Sequence, residues 1–121
     1  MKPPHILIVD DEGDFRETLK LLLSMEGFQV SEASSGGHAI DLIDAGLRPD
    51  VLVLDYRMPG LNGGQTLRHI RSQAPDAPAV LLTAASEAND IARQYGFDAV
   101  LRKPIGPDVL LATLGKVLPP R

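Results

Sequence analysis

The clearest pattern in the chain is a series of short apolar runs separated by stretches with helical spacing. Three runs are almost continuously apolar: residues 51–55, residues 80–83, and residues 5–10 except at the two ends. Such runs are typical of strands buried on both faces of a parallel sheet. Residues 28–33 alternate apolar and polar positions, as in a half-exposed strand, and residues 97–101 form a fifth run. The pattern therefore predicts five strands.

The stretches between these runs carry apolar residues at helical intervals of three and four. Phe15, Leu19, Leu22 and Leu23 would form one helix face, which Gly27 ends. Helices are also predicted over 38–45, over 65–73 after a loop at 60–64, from a Ser86 cap to 95, and from 107 to 118. Alternating strands and helices predict a single α/β domain over 1–121, a three-layer sandwich with a parallel sheet in the middle. Residues 119–121, with two prolines, would suit the start of a C-terminal linker.

Composition excludes several classes of protein. The 121 residues carry a net charge of −4, whereas a nucleic-acid-binding surface is normally basic. No apolar stretch approaches the roughly 20 residues of a membrane span, and no signal peptide precedes the first strand. The absence of cysteine excludes disulfides and thiolate metal sites. We expect a cytoplasmic protein that binds neither nucleic acid directly nor membrane.

Polar residues follow the apolar runs at the point where each strand ends. Asp10 and Asp11 follow the first run, Asp55 and Thr83 end the third and fourth, and Lys103 follows the fifth. The carboxyl ends of parallel strands meet at one edge of a sheet, where ligands bind in open α/β folds. Three clustered carboxylates raise one another's pKa unless a cation is present. Mg²⁺ takes oxygen ligands and keeps several waters, so it suits such a cluster.

These motifs resemble the response-regulator receiver domain, the phosphorylated half of bacterial two-component signalling. The matching pieces are 9–12 (Val-Asp-Asp-Glu), 54–60 (Leu-Asp-Tyr-Arg-Met-Pro-Gly), Gly63, Thr83-Ala84 and Lys103-Pro104. The resemblance covers essentially the whole chain. It implies a flavodoxin-like sheet with strand order 2-1-3-4-5.

The resemblance also implies roles for several of the matched residues. Asp55 would be phosphorylated, since a carboxylate can act as nucleophile toward a phosphoryl group. Mg²⁺ would be bound by Asp11 and Asp55 directly, by Asp10 through water and by the backbone carbonyl of Arg57. Lys103, Thr83 and Ala84 would bind the phosphoryl group and respond to it. Pro59, Gly63 and Pro104 would be structural, with a cis Lys103–Pro104 bond.

The same resemblance implies partners. A histidine kinase or phosphotransfer protein would supply the phosphoryl group, so the domain would catalyse only its own phosphorylation and dephosphorylation and would not be an enzyme in the usual sense. The face formed by the fourth helix, fifth strand and fifth helix, with Tyr95, Val100 and Leu101, would be the output surface. It would contact an effector domain or a second copy in a homodimer.

One departure from the family leaves an alternative open. Many receivers carry an aromatic residue three positions before the lysine, where this chain has Val100. A receiver fold that signals without phosphorylation is therefore the main competitor. A flavin carrier is disfavoured because Asp10, Asp11 and Glu12 would repel a phosphate after the first strand. A haloacid-dehalogenase-like phosphatase would need an Asp-x-Asp pattern there, which this chain lacks.

Overall fold

The computed structural model describes residues 2–118, which form a five-stranded parallel sheet and five helices. The strands are β1 (His5–Val9), β2 (Gln29–Ala33), β3 (Val51–Asp55), β4 (Ala79–Thr83) and β5 (Ala99–Arg102). The helices are α1 (Gly13–Met25), α2 (Gly36–Asp44), α3 (Gly63–Gln73), α4 (Ala88–Tyr95) and α5 (Pro107–Val117). The strand order is β2-β1-β3-β4-β5, with every neighbouring pair parallel. The predicted α/β class and strand order are therefore confirmed.

The sheet is covered on both faces, which explains why its central strands are apolar at every position. One face packs on α2 and α3 through Leu7, Leu52 and Leu54. The opposite face packs on α1 and α5 through Ile6, Val51 and Val53. Successive strand residues point to opposite faces, so each central strand contributes to both cores.

A third, smaller cluster holds α4 against the sheet. It consists of Leu81 from β4, Ala85 from the loop, and Ala88, Ile91 and Ala92 from α4. Tyr56, Tyr95, Phe97 and Val100 pack against this cluster. Two of its three helical members are alanines, so α4 buries less apolar surface per residue than a helix that packs through leucine and isoleucine.

Several element bounds differ from the sequence prediction because local capping decided them. α3 begins at Gly63 and not at 65, since Asn62 and Gln65 form a reciprocal capping box. α2 begins at Gly36, two residues earlier than predicted, because the Ser35 side chain accepts a hydrogen bond from the His38 amide. The prediction that Ser86 caps α4 is wrong. Glu87 occupies the N-cap position, and the Ser86 hydroxyl donates to the Glu87 carboxylate at 2.9 Å.

Other bounds shift by a residue or two. β5 begins at Ala99, two residues later than predicted, and α5 ends at Val117. The predicted linker at 119–121 lies outside the described residues. Within residues 2–118, no helix is long and apolar enough to cross a bilayer.

Candidate functional site

The register of the sheet brings the predicted polar residues to one edge. Val9 pairs with Leu54, so Asp10 and Asp55 leave β1 and β3 at the same level. Asp55 pairs with Leu82, which places Thr83 one residue further along β4. Thr83 pairs with Arg102, and Lys103 follows directly. Because neighbouring strands lie about 4.8 Å apart, these side chains meet across the centre of the sheet.

Three carboxylates converge at this edge. Asp10, Asp11 and Asp55 each offer an oxygen, and these atoms lie within 4.8 Å of one another. Asp10 is fully buried and Asp55 is 5% exposed, whereas Asp11 faces solvent. We call Asp10, Asp11, Asp55 and the adjoining Lys103 the acidic site.

Asp10 is held rigidly by its neighbours. Its Oδ1 accepts a hydrogen bond from the Glu12 amide at 2.9 Å, and its Oδ2 accepts one from Lys103 Nζ at 3.0 Å. Its own amide donates to the Ala33 carbonyl at 3.2 Å. A buried carboxylate is tolerated only when it is paired and hydrogen-bonded, and Asp10 meets both conditions.

Asp55 is less well compensated than Asp10. Burial, together with the negative charges of Asp10 and Asp11, raises the pKa of its carboxyl from 3.8 to about 6. Lys103 opposes the rise only in part, with its Nζ 3.6 Å from Asp55 Oδ2. The site is therefore short of positive charge near Asp55.

Lys103 is the cation of the site and is shared among several groups. Besides Asp10 and Asp55, its Nζ lies 3.6 Å from Glu12 Oε1 and 4.5 Å from the centroid of the Phe15 ring. Burial alone would lower the pKa of Lys103, but the hydrogen bond that it donates to Asp10 and the charge of Asp55 raise it overall. Lys103 therefore stays charged. The Lys103–Pro104 peptide bond is cis, as predicted.

The donor set fits a hard divalent cation. All three side chains supply carboxylate oxygens, the ligands that Mg²⁺ prefers, and the exposed Asp11 leaves room for bound water. One lysine against three carboxylates leaves a net negative charge that such a cation would balance. The Arg57 side chain points away and forms an exposed ion pair with Glu87 at 3.3 Å. The Arg57 side chain is therefore not available to a metal, and only the backbone carbonyl oxygen of Arg57 could fill the predicted role.

The predicted switch residues lie beside the acidic site on the β4 side. Thr83 is 1% exposed, and its hydroxyl oxygen accepts a hydrogen bond from the Ala85 amide at 3.0 Å. Its hydroxyl proton remains available to donate to an incoming oxygen. Ala84, the next residue, is exposed.

The loop after β3 has a sterically required glycine. A Cβ on Gly63 would lie 2.3 Å from the Asp55 carbonyl oxygen, and the Gly63 amide donates to the Tyr56 carbonyl at 2.9 Å. Gly63 thus lets α3 start directly against the end of β3. Pro59 is exposed in the same loop. A steric contact therefore explains the predicted structural role of Gly63, whereas the structure gives no such explanation for Pro59.

The residues predicted for the output surface occupy different environments. Val100 is half-buried beside α4. Leu101 is 1% exposed and belongs to the core under α5, so its predicted place on the surface needs correcting. Adjacent strand residues point to opposite faces, so Val100 and Leu101 could not share one surface.

Tyr95 forms part of the contact between α3 and α4. A Cβ on Gly64 would lie 2.3 Å from the Tyr95 ring, and the Arg68 guanidinium lies 5.0 Å from the ring centroid. The Tyr56 and Tyr95 rings are 6.4 Å apart and tilted by 50°. The residue that follows Asp55 thus packs beside α4.

Three residues near the site had no predicted functional role. Glu12 and Phe15 contact the Lys103 ammonium, and Arg16 contacts the Asp10 carbonyl oxygen at 2.8 Å. Their closeness to Asp10 and Asp11 in sequence was the only available signal. That signal did not indicate that Glu12 and Phe15 contact Lys103, or that Arg16 contacts the Asp10 carbonyl oxygen.

Comparison with known proteins agrees with this geometry. The family model for the response regulator receiver domain matches residues 6–115. Response regulator MprA from Mycobacterium sp. (strain KMS) is 41% identical over 120 residues, covering 96% of this chain and 51% of the relative. MprA from Mycobacterium avium (strain 104) is also 41% identical, over 94% of this chain and 50% of its own length. The chain spans about half the length of these curated relatives.

Solved structures show the same fold. The Vibrio cholerae chemotaxis protein CheY4 superposes with a TM-score of 0.88 at 30% identity, covering 96% of this chain and 99% of that chain. The response regulator TrrA from Thermotoga maritima was solved in complex with Mg²⁺-BeF. It superposes with a TM-score of 0.86 at 34% identity, covering 95% of this chain and 99% of that chain. Since the family match extends from β1 into α5 and includes every residue of the acidic site, this chain belongs to the response regulator receiver domain family.

Proposed function

We propose that this chain is a phosphoryl-accepting receiver in which Asp55 is the acceptor and Mg²⁺ is required. The observation that carries the proposal is the convergence of Asp10, Asp11 and Asp55 at the carboxyl edge of the sheet, with Lys103 paired to Asp10 and Asp55. A phosphoryl transfer site needs an in-line nucleophile, charge neutralisation and little else. Asp55 supplies the nucleophile, and the other groups supply positioning and charge.

The donor of the phosphoryl group is proposed to be a phosphohistidine on a histidine kinase or a phosphotransfer protein. An Asp55 carboxylate oxygen attacks phosphorus while the bond from phosphorus to the histidine nitrogen breaks, and that nitrogen takes up a proton. The product is an acyl phosphate on Asp55. Bound Mg²⁺, held by Asp11 and Asp55 with Asp10 behind them, would neutralise charge on the phosphoryl oxygens.

The side chains around Asp55 have distinct proposed roles. Lys103 Nζ, 3.6 Å from Asp55 Oδ2, forms an ion pair with a phosphoryl oxygen once the carboxylate charge is consumed. The Thr83 hydroxyl donates to a second oxygen. The exposed Ala84 leaves that approach open. Arg57 would contribute its carbonyl oxygen to the metal.

The output is proposed to run through α4. Tyr56 follows Asp55 and packs beside Tyr95, so a shift in the loop after β3 reaches the contact between α3 and α4. The half-buried Val100 replaces the larger ring that many receivers have beneath this face. The surface of α4, β5 and α5 would then bind an effector domain, or a second copy of the chain in a homodimer.

The test is intact mass after incubation with acetyl phosphate and Mg²⁺. We expect one added phosphoryl group on the wild type and none on Asp55→Asn or in a sample with excess EDTA. Asp41→Asn, which changes an exposed carboxylate on α2, should still be phosphorylated. If the wild type takes up no phosphoryl group, and its NMR spectrum also does not respond to Mg²⁺ with beryllofluoride, the chain is instead a receiver fold that signals without phosphorylation.

A further inference from the structure

We propose that Arg16 is a positioning residue for the acidic site, and that it sets the affinity for Mg²⁺ without contacting the metal. Arg16 lies near the start of α1, and its side chain is 18% exposed. Its Nη1 donates to the Asp10 carbonyl oxygen at 2.8 Å, and its Nε donates to Glu32 Oε1 at 2.9 Å. This inference rests on the proposed function.

The Asp10 carbonyl belongs to the peptide group that joins Asp10 to Asp11. A peptide group is planar, so fixing its oxygen also fixes the direction in which Asp11 leaves it. Asp11 is exposed, yet its carboxylate must stay within reach of Asp10 and Asp55. Arg16 supplies a side-chain restraint on that peptide.

The Arg16 contact completes the hydrogen bonding of Asp10. The amide of Asp10 bonds to β2, Oδ1 to the Glu12 amide and Oδ2 to Lys103, and Arg16 takes the remaining polar atom. Glu12 and Arg16 lie close to Asp10 in sequence, whereas Ala33 and Lys103 are distant from it. Removing Arg16 would leave the carbonyl as the one polar group of Asp10 with no protein partner among those described.

Glu32 offsets the positive charge of Arg16 beside the proposed metal site. Glu32 pairs with Arg16 at 2.9 Å and with Lys20 at 3.1 Å, and the hydrogen bond from Arg16 holds the pKa of Glu32 below its usual range. The Arg16 charge is thus offset by a carboxylate on its far side. Its fork can position the peptide without a strong repulsion of Mg²⁺.

Positioning and simple charge predict opposite effects of removing Arg16. Loss of a nearby positive charge, by itself, would strengthen the binding of a divalent cation. Loss of the restraint would weaken binding, since partners that orient metal ligands typically contribute about 10-fold to 100-fold in affinity. Lys20→Ala is the matched control, because it removes one charge from α1 and one partner from Glu32 but leaves the Asp10 contact intact.

The experiment is a Mg²⁺ titration of wild type, Arg16→Ala, Arg16→Lys and Lys20→Ala, followed by amide shifts in ¹H–¹⁵N NMR spectra without a phosphoryl donor. We expect the Kd to rise about tenfold in Arg16→Ala. It should also rise in Arg16→Lys, since one ammonium replaces the guanidinium fork that holds both Glu32 and the Asp10 carbonyl. Lys20→Ala should bind with the wild-type Kd or slightly more tightly.

The outcomes separate this inference from the proposed function. If the wild type binds Mg²⁺ and both Arg16 variants bind it equally well or better, the positioning role is overturned and the proposed function stands. If the wild type does not bind Mg²⁺, the proposed function fails and takes this inference with it. Should Arg16→Ala not fold by circular dichroism, Arg16→Lys decides the result.

Discussion

Replacing Asp55 with asparagine should make the metal-free protein more stable. Asp55 is 5% exposed, and burial together with Asp10 and Asp11 raises the pKa of its carboxyl from 3.8 to about 6. In the folded protein this group therefore resists ionisation. The protonated carboxyl of Asp55 therefore contributes stability that is fully present below about pH 4 and is lost as the pH rises through about 6. At pH 7.5 the folded protein carries the whole penalty.

The magnitude follows from the two pKa values. The difference between about 6 and 3.8, at about 1.4 kcal/mol per pH unit, sets an upper limit of about 3 kcal/mol. Lys103 loses an ionic partner in the variant, and water reaches the open edge of the site, so we expect a gain of about 1 to 2 kcal/mol. The amide of asparagine preserves the shape of the side chain.

The assay is urea denaturation in EDTA at pH 7.5 and pH 5. We expect Asp55→Asn to exceed the wild type in free energy of unfolding at pH 7.5, with the difference falling by about half at pH 5. Asp41→Asn, on the exposed surface of α2, should change stability by less than about 0.5 kcal/mol at either pH.

With saturating Mg²⁺, the wild type should have a higher free energy of unfolding than Asp55→Asn. A ligand that binds the folded state stabilises it in proportion to its affinity, and the wild type keeps one more carboxylate for the metal. The reasoning is refuted if Asp55→Asn is no more stable than the wild type in EDTA at pH 7.5, or if their difference does not shrink at pH 5.

Four further predictions concern other positions in the chain. Gly63→Ala should lower the free energy of unfolding by about 2 kcal/mol or more, because its Cβ would meet the Asp55 carbonyl oxygen at 2.3 Å. Gly115→Ala, in open space on α5, should raise it by about 0.5 to 1 kcal/mol in the same urea experiment. Lys103→Met should tighten Mg²⁺ binding severalfold in an NMR titration, since it removes a cation 3.0 to 3.6 Å from the carboxylates; an unchanged Kd would contradict the charge argument. Tyrosine emission should change on phosphorylation with acetyl phosphate and Mg²⁺, because the chain has no tryptophan and its two tyrosines lie together at the end of α4; a constant signal in phosphorylated protein would contradict movement of these rings.

The α/β class and the polar edge of the sheet could be predicted from the sequence because their signals are local. An apolar run that ends in an acid marks a buried strand and the polar edge of its sheet. The strand order, which brings Asp10, Asp55 and Lys103 together, was implied only by the resemblance to the receiver family. Helix starts were less predictable, since they depended on the side-chain caps of Ser35 and Asn62.

Contacts between distant segments could not be predicted in the same way. Nothing in the spacing of Arg16 indicates that it reaches both the Asp10 carbonyl and Glu32 on β2. The placement of Leu101 on the output surface, in contrast, was avoidable. The alternation of side chains along β5 puts Val100 and Leu101 on opposite faces, and the helix covering each face then decides their burial.

The division of the interior into separate clusters has a consequence for how such a domain can diverge. The strands that carry Asp10 and Asp55 are embedded in the two large cores, where substitutions are severely constrained by volume. α4 rests on its own small cluster of mostly short side chains. Sequence drift can therefore remodel the α4 surface while the geometry of the acidic site at the carboxyl edge stays unchanged.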